Sequence, residues 1–170
     1  MVRFAAKAGG VAALAAAMLV GVVSGPVQAE EDPSLLALSV GYHDILQGDD
    51  TSAEGRVEYR FGQSFWYLKP FVGAMGTTDG AAYGFGGLLA DIPLGGNFIL
   101  TPSLAAGLYA KGSGIDLGGP VEFRSQLELS YRFQDASRIG ISFSHISNAS
   151  IYDENPGTET LAVTYMLPLP

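Results

Sequence analysis

The sequence predicts an all-β fold, an eight-stranded antiparallel transmembrane β-barrel of the outer membrane. Three observations favour this fold class. The chain begins with an export signal, eight later segments alternate between apolar and polar residues, and the connections between those segments alternate between short and long. This combination is typical of bacterial outer-membrane barrels, in which a closed sheet pairs every backbone polar group within the membrane.

Residues 1–29 have the layout of a secretory signal peptide, which is removed on export. Arg3 and Lys7 give a basic start, residues 11–23 form an apolar run, and the segment ends at a small residue, Ala29. The apolar run is shorter than the ~20 residues that a transmembrane helix needs. We therefore predict cleavage after Ala29 and one β-barrel domain over residues 30–170.

The composition excludes several classes of function. Without Arg3 and Lys7, seven basic residues remain against 17 acidic ones, so the exported chain is strongly acidic. Nucleic acid is not an expected partner, because its phosphates are bound by clustered Lys and Arg. The chain has no cysteine, which rules out disulfides and thiolate chemistry. No cluster of ligand side chains suggests a metal, and no cofactor is expected.

Two segments show the period of a β-strand most clearly. In residues 121–133, apolar side chains share one face and polar or charged ones share the other, and only Ser125 interrupts the apolar face. Residues 56–61 repeat the pattern. Six weaker segments, several of them rich in Gly and Ala, bring the count to eight: residues 36–42, 66–73, 82–92, 97–110, 138–147 and 159–169.

The connections indicate how the barrel is oriented. We predict short turns at residues 62–64, 93–96 and 134–137, and longer loops at residues 43–53, 76–81, 111–120 and 148–158. Outer-membrane barrels place short turns in the periplasm and longer loops outside. Both ends of an even-stranded barrel lie on the periplasmic side. The seventh predicted strand therefore ends, and the eighth begins, at the external rim.

The charged faces distinguish two all-β architectures. A soluble sandwich would bury the Val, Tyr and Phe faces, whereas a barrel would turn them to lipid and pair the charges inside a narrow lumen. The export signal, the even strand count and the alternating loops favour the barrel. His43 is expected on the lumen face near a rim, as a structural residue. The charged residues expected in the lumen are Arg56, Glu58, Arg60, Glu122, Arg124, Glu128 and Arg132.

Three polar residues continue the apolar faces of the last two strands at their external ends. His145 and Ser147 follow the apolar face of the seventh strand, and Glu159 is in phase with that of the eighth. A hydroxyl, an imidazole and a carboxylate on one surface form the nucleophile, base and orienting acid of serine hydrolases. Asp153 and Glu154 are rival acids, but they lie in the loop and out of strand phase. Alternatively, all three are interfacial polar residues without a catalytic role.

The segment FSHISNASIYDENPGTETLAVTY, Phe143 to Tyr165, resembles the C-terminal signature of the lipid A 3-O-deacylase family of outer-membrane enzymes (PagL type). The matching elements are F-x-H-x-S-N-A, the following N-P-G-x-E and a last strand that contains tyrosine. The strong match covers residues 141–165, and the rest of the chain agrees mainly in architecture. The chain departs from many outer-membrane barrels at its end, where residues 167–170 lack a terminal aromatic residue.

The resemblance implies an esterase that removes the 3-O-linked 3-hydroxyacyl chain of lipid A in lipopolysaccharide. It implies that His145 is the base, Ser147 the nucleophile and Glu159 the orienting acid. The residues implied at the oxyanion hole and the substrate are Asn148, through its backbone N–H, Asn155 and Gly157. The implied partners are lipopolysaccharide and the lipid of a Gram-negative outer membrane, and a homodimer remains an open alternative to a monomer.

Two other functions are compatible with the same sequence. A small barrel without enzymatic activity could serve adhesion or membrane stabilisation, and it would have no need for a hydroxyl, an imidazole and a carboxylate converging at one rim. An outer-membrane phospholipase could use the same serine and histidine chemistry. Only the substrate would then distinguish it from a lipid A esterase.

Overall fold

The computed structural model describes residues 32–46, 48 and 51–170. Within that part no helix is long and apolar enough to cross a membrane. The predicted signal peptide and its cleavage after Ala29 lie outside the described residues. The strand segments are β1 (Ser34–His43), β2 (Ser52–Arg60), β3 (Lys69–Thr77), β4 (Ala82–Leu89), β5 (Ile92–Gly95), β6 (Phe98–Ala110), β7 (Val121–Arg132), β8 (Arg138–Ser147) and β9 (Thr158–Leu169).

These segments form one closed antiparallel sheet. Neighbouring segments pair in sequence order, except β4 and β5, which both pair with β6. β1 pairs with β9, with Ser34 opposite Leu169 and His43 opposite Thr160. β4 and β5 pair with successive lengths of β6, so together they make one barrel strand, interrupted at residues 90–91. The barrel therefore has eight strands, and the predicted fold class is confirmed. The predicted end of the fourth strand at residue 92 is too early, because pairing with β6 continues to Gly95.

The third strand begins later than the sequence period predicts. The predicted strand covers residues 66–73, but β3 begins at Lys69 and ends at Thr77. Trp66 and Tyr67 have φ angles of 51° and 69° and form the centre of a tight turn. The apparent alternation at residues 66–68 therefore belongs to the turn and not to a strand, and the predicted start of the third strand at residue 66 is wrong.

The outer surface of the barrel carries an apolar belt that faces lipid. Alternate residues of the strands are buried in the lumen, and those between them are exposed, as the two-residue period of a strand requires. The exposed members of the belt include Leu38, Val40, Val57, Val72, Leu88, Leu104, Leu127, Leu129, Ile139, Ile141, Phe143, Leu161, Val163 and Leu167. A soluble protein does not expose so large an apolar area, and a membrane supplies its solvent.

One side of the lumen is filled by ion pairs. Glu58 lies 2.8 Å from Arg60 and 2.6 Å from Arg124, and Arg60 also binds Glu128 at 2.8 Å. Removal of one member of such a buried network leaves an uncompensated charge, which costs ~3–5 kcal/mol. The charged residues predicted for the lumen are buried there, with the exception of Arg132. That side chain lies at the periplasmic rim, 39% exposed, and binds Asp32 at 3.1 Å.

The other side of the lumen is apolar. Its core comprises Phe71, Met75, Ala81, Tyr83, Phe85, Leu89, Ala105, Tyr109, Leu117 and Ile146. Leu117 comes from the external loop between β6 and β7 and is only 1% exposed, so it closes the lumen from above. The Arg124 guanidinium lies 4.1 Å from the centre of the Phe85 ring and joins the polar and apolar sides by a cation–π contact. The lumen is therefore a packed core.

Candidate active site

The candidate active site lies on the outer surface where β8 and β9 pair, at the end with the longer loops. His145 and Glu159 are directly opposite each other in the register of the two strands. The Nδ1 atom of His145 lies 2.8 Å from Oε1 of Glu159. Because a carboxylate only accepts hydrogen bonds, Nδ1 carries the proton, and the Nδ1–H group donates a hydrogen bond to Glu159. The lone pair of the neutral ring is therefore on Nε2.

The period of β8 places the imidazole on the lipid-facing side. Ile141 and Phe143 are exposed, and His145 and Ser147 continue the same face as half-buried residues. Successive residues on one face of a strand are ~6.5 Å apart, which allows a hydroxyl and an imidazole two residues apart to approach each other. The side chain of Glu159 is 10% exposed and that of His145 is 32% exposed, so the carboxylate is covered while the ring remains accessible.

Gly157 leaves one edge of the imidazole open. It is buried and has a φ angle of 72°. A Cβ atom at this position would lie 2.8 Å from Cε1 and 3.5 Å from Nε2 of His145. The shorter of these distances is below any normal contact. A side chain at residue 157 would therefore crowd the nitrogen that carries the lone pair.

Asn148 connects the two external loops beside the site. Its side chain, which is fully buried, donates to the backbone oxygens of Leu117 and Glu154, each at 2.7 Å. It also accepts a hydrogen bond from the Ser150 N–H at 2.9 Å. All the polar groups of this amide are thus used within the protein. The residue that follows Ser147 is therefore fixed in position by both loops.

The backbone N–H of Asn148 donates to Oδ1 of Asn155 at 3.0 Å. The family resemblance implies that these two residues are separate donors to an oxyanion, but here the Asn148 N–H is bonded to the Asn155 side chain. Among the described residues, the one hydrogen bond of Asn155 Nδ2 is a long one, 3.4 Å, to Oγ of Ser150. The two residues therefore form one linked unit above the end of β8.

The structure places one residue beside the site that sequence reasoning passed over. Ser125 of β7 is directly opposite His145, on the side away from Glu159, and Phe123 is opposite Ser147. Directly opposite residues on one sheet face have Cβ atoms ~4.5–5.5 Å apart. The signal was present in the sequence, because Ser125 is the single polar residue in the apolar face of its strand. The rival acids Asp153 and Glu154 are exposed in the loop.

Comparisons with known proteins agree with this architecture. The curated lipid A deacylase PagL of Bordetella bronchiseptica is 30% identical over 73 residues, 42% of this chain and 41% of that protein. The aligned region thus spans about two fifths of the relative's length. The crystal structure of the outer membrane enzyme PagL has a TM-score of 0.63 at 16% identity, covering 79% of this chain and 99% of that chain. Neisserial surface protein A has a TM-score of 0.57 at 10% identity, over 80% of this chain and 96% of its own.

These two likenesses to solved structures show the fold alone, since both barrels share little sequence with this chain. The lipid-facing belt and the closed sheet make the chain an outer-membrane barrel. A family model described as lipid A 3-O-deacylase (PagL) matches residues 36–168, which is well over half of the chain. The chain therefore belongs to the lipid A 3-O-deacylase (PagL) family.

Proposed function

We propose that the protein is an esterase of the outer membrane that removes the 3-O-linked acyl chain of lipid A. The observation that carries the proposal is the His145–Glu159 pair on the lipid-facing surface, with Ser147 in phase beside it. Family membership supplies the reaction class. In this proposal Ser147 is the nucleophile, His145 the general base and Glu159 the orienting acid.

The position of the pair on the outer surface fits a substrate that arrives through the membrane. The lumen is filled by ion pairs and apolar side chains and offers no route for a lipid. Lipid A of the outer leaflet diffuses laterally to the external end of the barrel wall, where β8 and β9 present His145. The ester bonds of its 3-O acyl chains lie near the membrane interface, at the level of the strand ends.

The proposed reaction uses Nε2 of His145 as the proton acceptor. Oγ of Ser147 attacks the ester carbonyl carbon while its proton passes to Nε2, and Glu159 stabilises the imidazolium through Nδ1. The tetrahedral intermediate expels the sugar hydroxyl, which takes the proton from Nε2. Water then attacks the acyl-enzyme with His145 again as base, which releases the fatty acid and restores Ser147.

The developing oxyanion requires hydrogen-bond donors, each worth ~3 kcal/mol when well aimed. We place the Asn148 N–H in this role, with the amide of Asn155 as the second donor. In the free protein, the Asn148 N–H donates to Oδ1 of Asn155 at 3.0 Å, so this oxygen occupies the donor that an oxyanion would use. When the substrate is bound, Asn155 turns, so that its Nδ2 group and the Asn148 N–H both donate to the substrate oxygen.

The test is the mass of lipid A from Gram-negative cells that express the protein. The wild type is expected to produce a species that lacks one 3-hydroxyacyl chain, and Ser147→Ala is expected to produce none. Ser144→Ala is the matched control, because Ser144 lies on the lumen face of the same strand. An unchanged lipid A profile, with a folded barrel in the outer membrane, would contradict the proposal. Lysophospholipid in place of deacylated lipid A would instead indicate a phospholipase.

A further inference from the structure

The connection between β2 and β3 presents three consecutive aromatic residues at the periplasmic end of the barrel. Phe65, Trp66 and Tyr67 are 76%, 84% and 75% exposed, which makes them the most exposed large apolar side chains among the described residues. The rings of Phe65 and Trp66 are stacked, with centroids 6.1 Å apart. None of the three rings is packed into the lumen. Each of them is more exposed than any of the side chains named above for the lipid-facing belt.

The backbone of this turn is unfavourable for the residues that occupy it. Phe65 and Leu68 exchange two backbone hydrogen bonds, at 2.8 and 3.0 Å, around a two-residue turn. Both central residues, Trp66 and Tyr67, have positive φ. Turns of this type strongly prefer Asn-Gly, because a side chain in the left-handed region is strained. The aromatic pair therefore makes the turn less stable, and turn geometry does not account for its presence.

The turn continues the lipid-facing belt at its periplasmic edge. Phe61, Phe98, Tyr131 and Phe133 are exposed at the same end of the barrel. The Tyr131 ring is 5.4 Å from that of Phe98 and 5.3 Å from that of Phe133. Aromatic residues with polar tips concentrate where acyl chains meet headgroups. The segment of residues 61–68 also contains no charged residue, and a surface without charge suits the interface of a lipid bilayer.

We propose that the tip formed by Phe65, Trp66 and Tyr67 is a membrane anchor that lies in the headgroup region of the periplasmic leaflet. Its partner is the glycerophospholipid of that leaflet. Insertion of the rings offsets the strain of the left-handed turn. The anchor is separate from catalysis, because it lies at the opposite end of the barrel from His145. It holds the periplasmic end of the barrel at the bilayer surface.

Trp66 allows a direct test, because it is the only tryptophan in the chain. The full barrel is refolded in vesicles of phosphatidylcholine whose acyl chains carry bromine either near the carbonyl group or near the methyl end. Bromine near the carbonyl group is expected to quench the emission of Trp66 most strongly, and aqueous acrylamide to quench it several-fold less than in the urea-unfolded chain. The control is Trp66→Phe with Leu104→Trp, which moves the reporter to the belt and should reverse the bromine preference.

A second measurement, the urea concentration at which the barrel unfolds, should change in opposite directions depending on whether the tip is in lipid or in water. Trp66→Asn combined with Tyr67→Gly relieves the backbone strain and removes two of the three rings. If the tip is anchored in lipid, this variant unfolds in vesicles at a lower urea concentration than the wild type. If the tip is in water, the variant unfolds at a higher concentration, because only the relief of strain remains. That higher midpoint, or full acrylamide quenching of Trp66 without bromine quenching, would overturn the proposal.

Discussion

The two histidines of the chain lie close to opposite faces of the same strand, β9, and each is paired with a glutamate. In the lumen, Nδ1 of His43 lies 2.9 Å from Oγ1 of Thr160 and 3.4 Å from Oε2 of Glu54. On the outer surface, Nδ1 of His145 lies 2.8 Å from Glu159. Each site thus combines an imidazole, a carboxylate and a nearby hydroxyl.

Access separates the two sites. The His43 side chain is 1% exposed, and its Nε2 atom is buried with no hydrogen-bond partner among the described residues, whereas the His145 side chain is 32% exposed. The lumen site lies among buried ion pairs, and the outer site lies in the belt that meets lipid. Similar groups therefore have different consequences: the lumen site contributes to the stability of the core, and the outer site is placed to meet a lipid ester.

Substitution of each histidine by glutamine should give opposite results. His145→Gln removes the proposed base and is expected to lower the rate of fatty acid release from lipid A by at least ~10³-fold. His43→Gln is expected to leave that rate within a few-fold and to reduce the free energy of unfolding by ~1–3 kcal/mol, because buried hydrogen bonds are disturbed. The rates are measured with purified barrels in detergent, and the stability by urea unfolding. A large rate loss for His43→Gln would remove the distinction between the two sites.

Substitution of the two glutamates by glutamine should also separate activity from stability, with the loss of rate confined to Glu159. Glu159→Gln keeps the shape of the orienting group but removes the charge that stabilises the imidazolium, and we expect an initial rate ~10²–10⁴-fold lower. Glu54→Gln affects a buried carboxylate 3.5 Å from Arg56, and we expect lower stability with a nearly unchanged rate. Equal rate losses in the two variants would show that the charges act through the barrel as a whole.

Alanine substitution of two glycines should give the smallest change in rate, and it tests a single contact of His145. Gly157 and Gly48 have φ angles of 72° and 74°, so alanine introduces similar strain, ~1–2 kcal/mol, at both. At residue 157 the new Cβ meets His145, whereas at residue 48 it meets no atom of the described part of the chain within 4 Å. Gly157→Ala is expected to reduce the rate about tenfold, and Gly48→Ala to leave it unchanged. The same rate for both variants would argue against crowding of the imidazole.

The sequence predicts most of the barrel, because successive strand residues face the lumen and the lipid in turn, and polar and apolar residues therefore alternate along each strand. Residues 121–133 and 56–61 show this period most clearly. The alternation also places His145 and Glu159 on one surface, and the register of β8 and β9 brings them opposite each other. The start of β3 is predicted wrongly, because the left-handed turn at Trp66 continues an apparent alternation that the backbone does not follow.

The loops around the candidate site could not be predicted from the sequence in the same way. The bond from the Asn148 N–H to Asn155 and the contact of the Asn148 side chain with Leu117 depend on how two loops pack. No two-residue period encodes such contacts, because the partner of Asn148 is either distant in sequence or lies in a loop without regular structure. Ser125 is an intermediate case: its break in the pattern is visible, but its place beside His145 follows only from the register.

The central claim is that Ser147, activated by the outer His145–Glu159 pair, is the nucleophile. It is tested most directly by labelling the folded barrel with a lipid-soluble fluorophosphonate and locating the adduct by peptide mass spectrometry. We predict an adduct on Ser147 that forms in the wild type and in Glu54→Gln, and that is nearly absent in His145→Gln and Glu159→Gln. An adduct on Ser125, or labelling that depends on Glu54 and not on Glu159, would contradict the account.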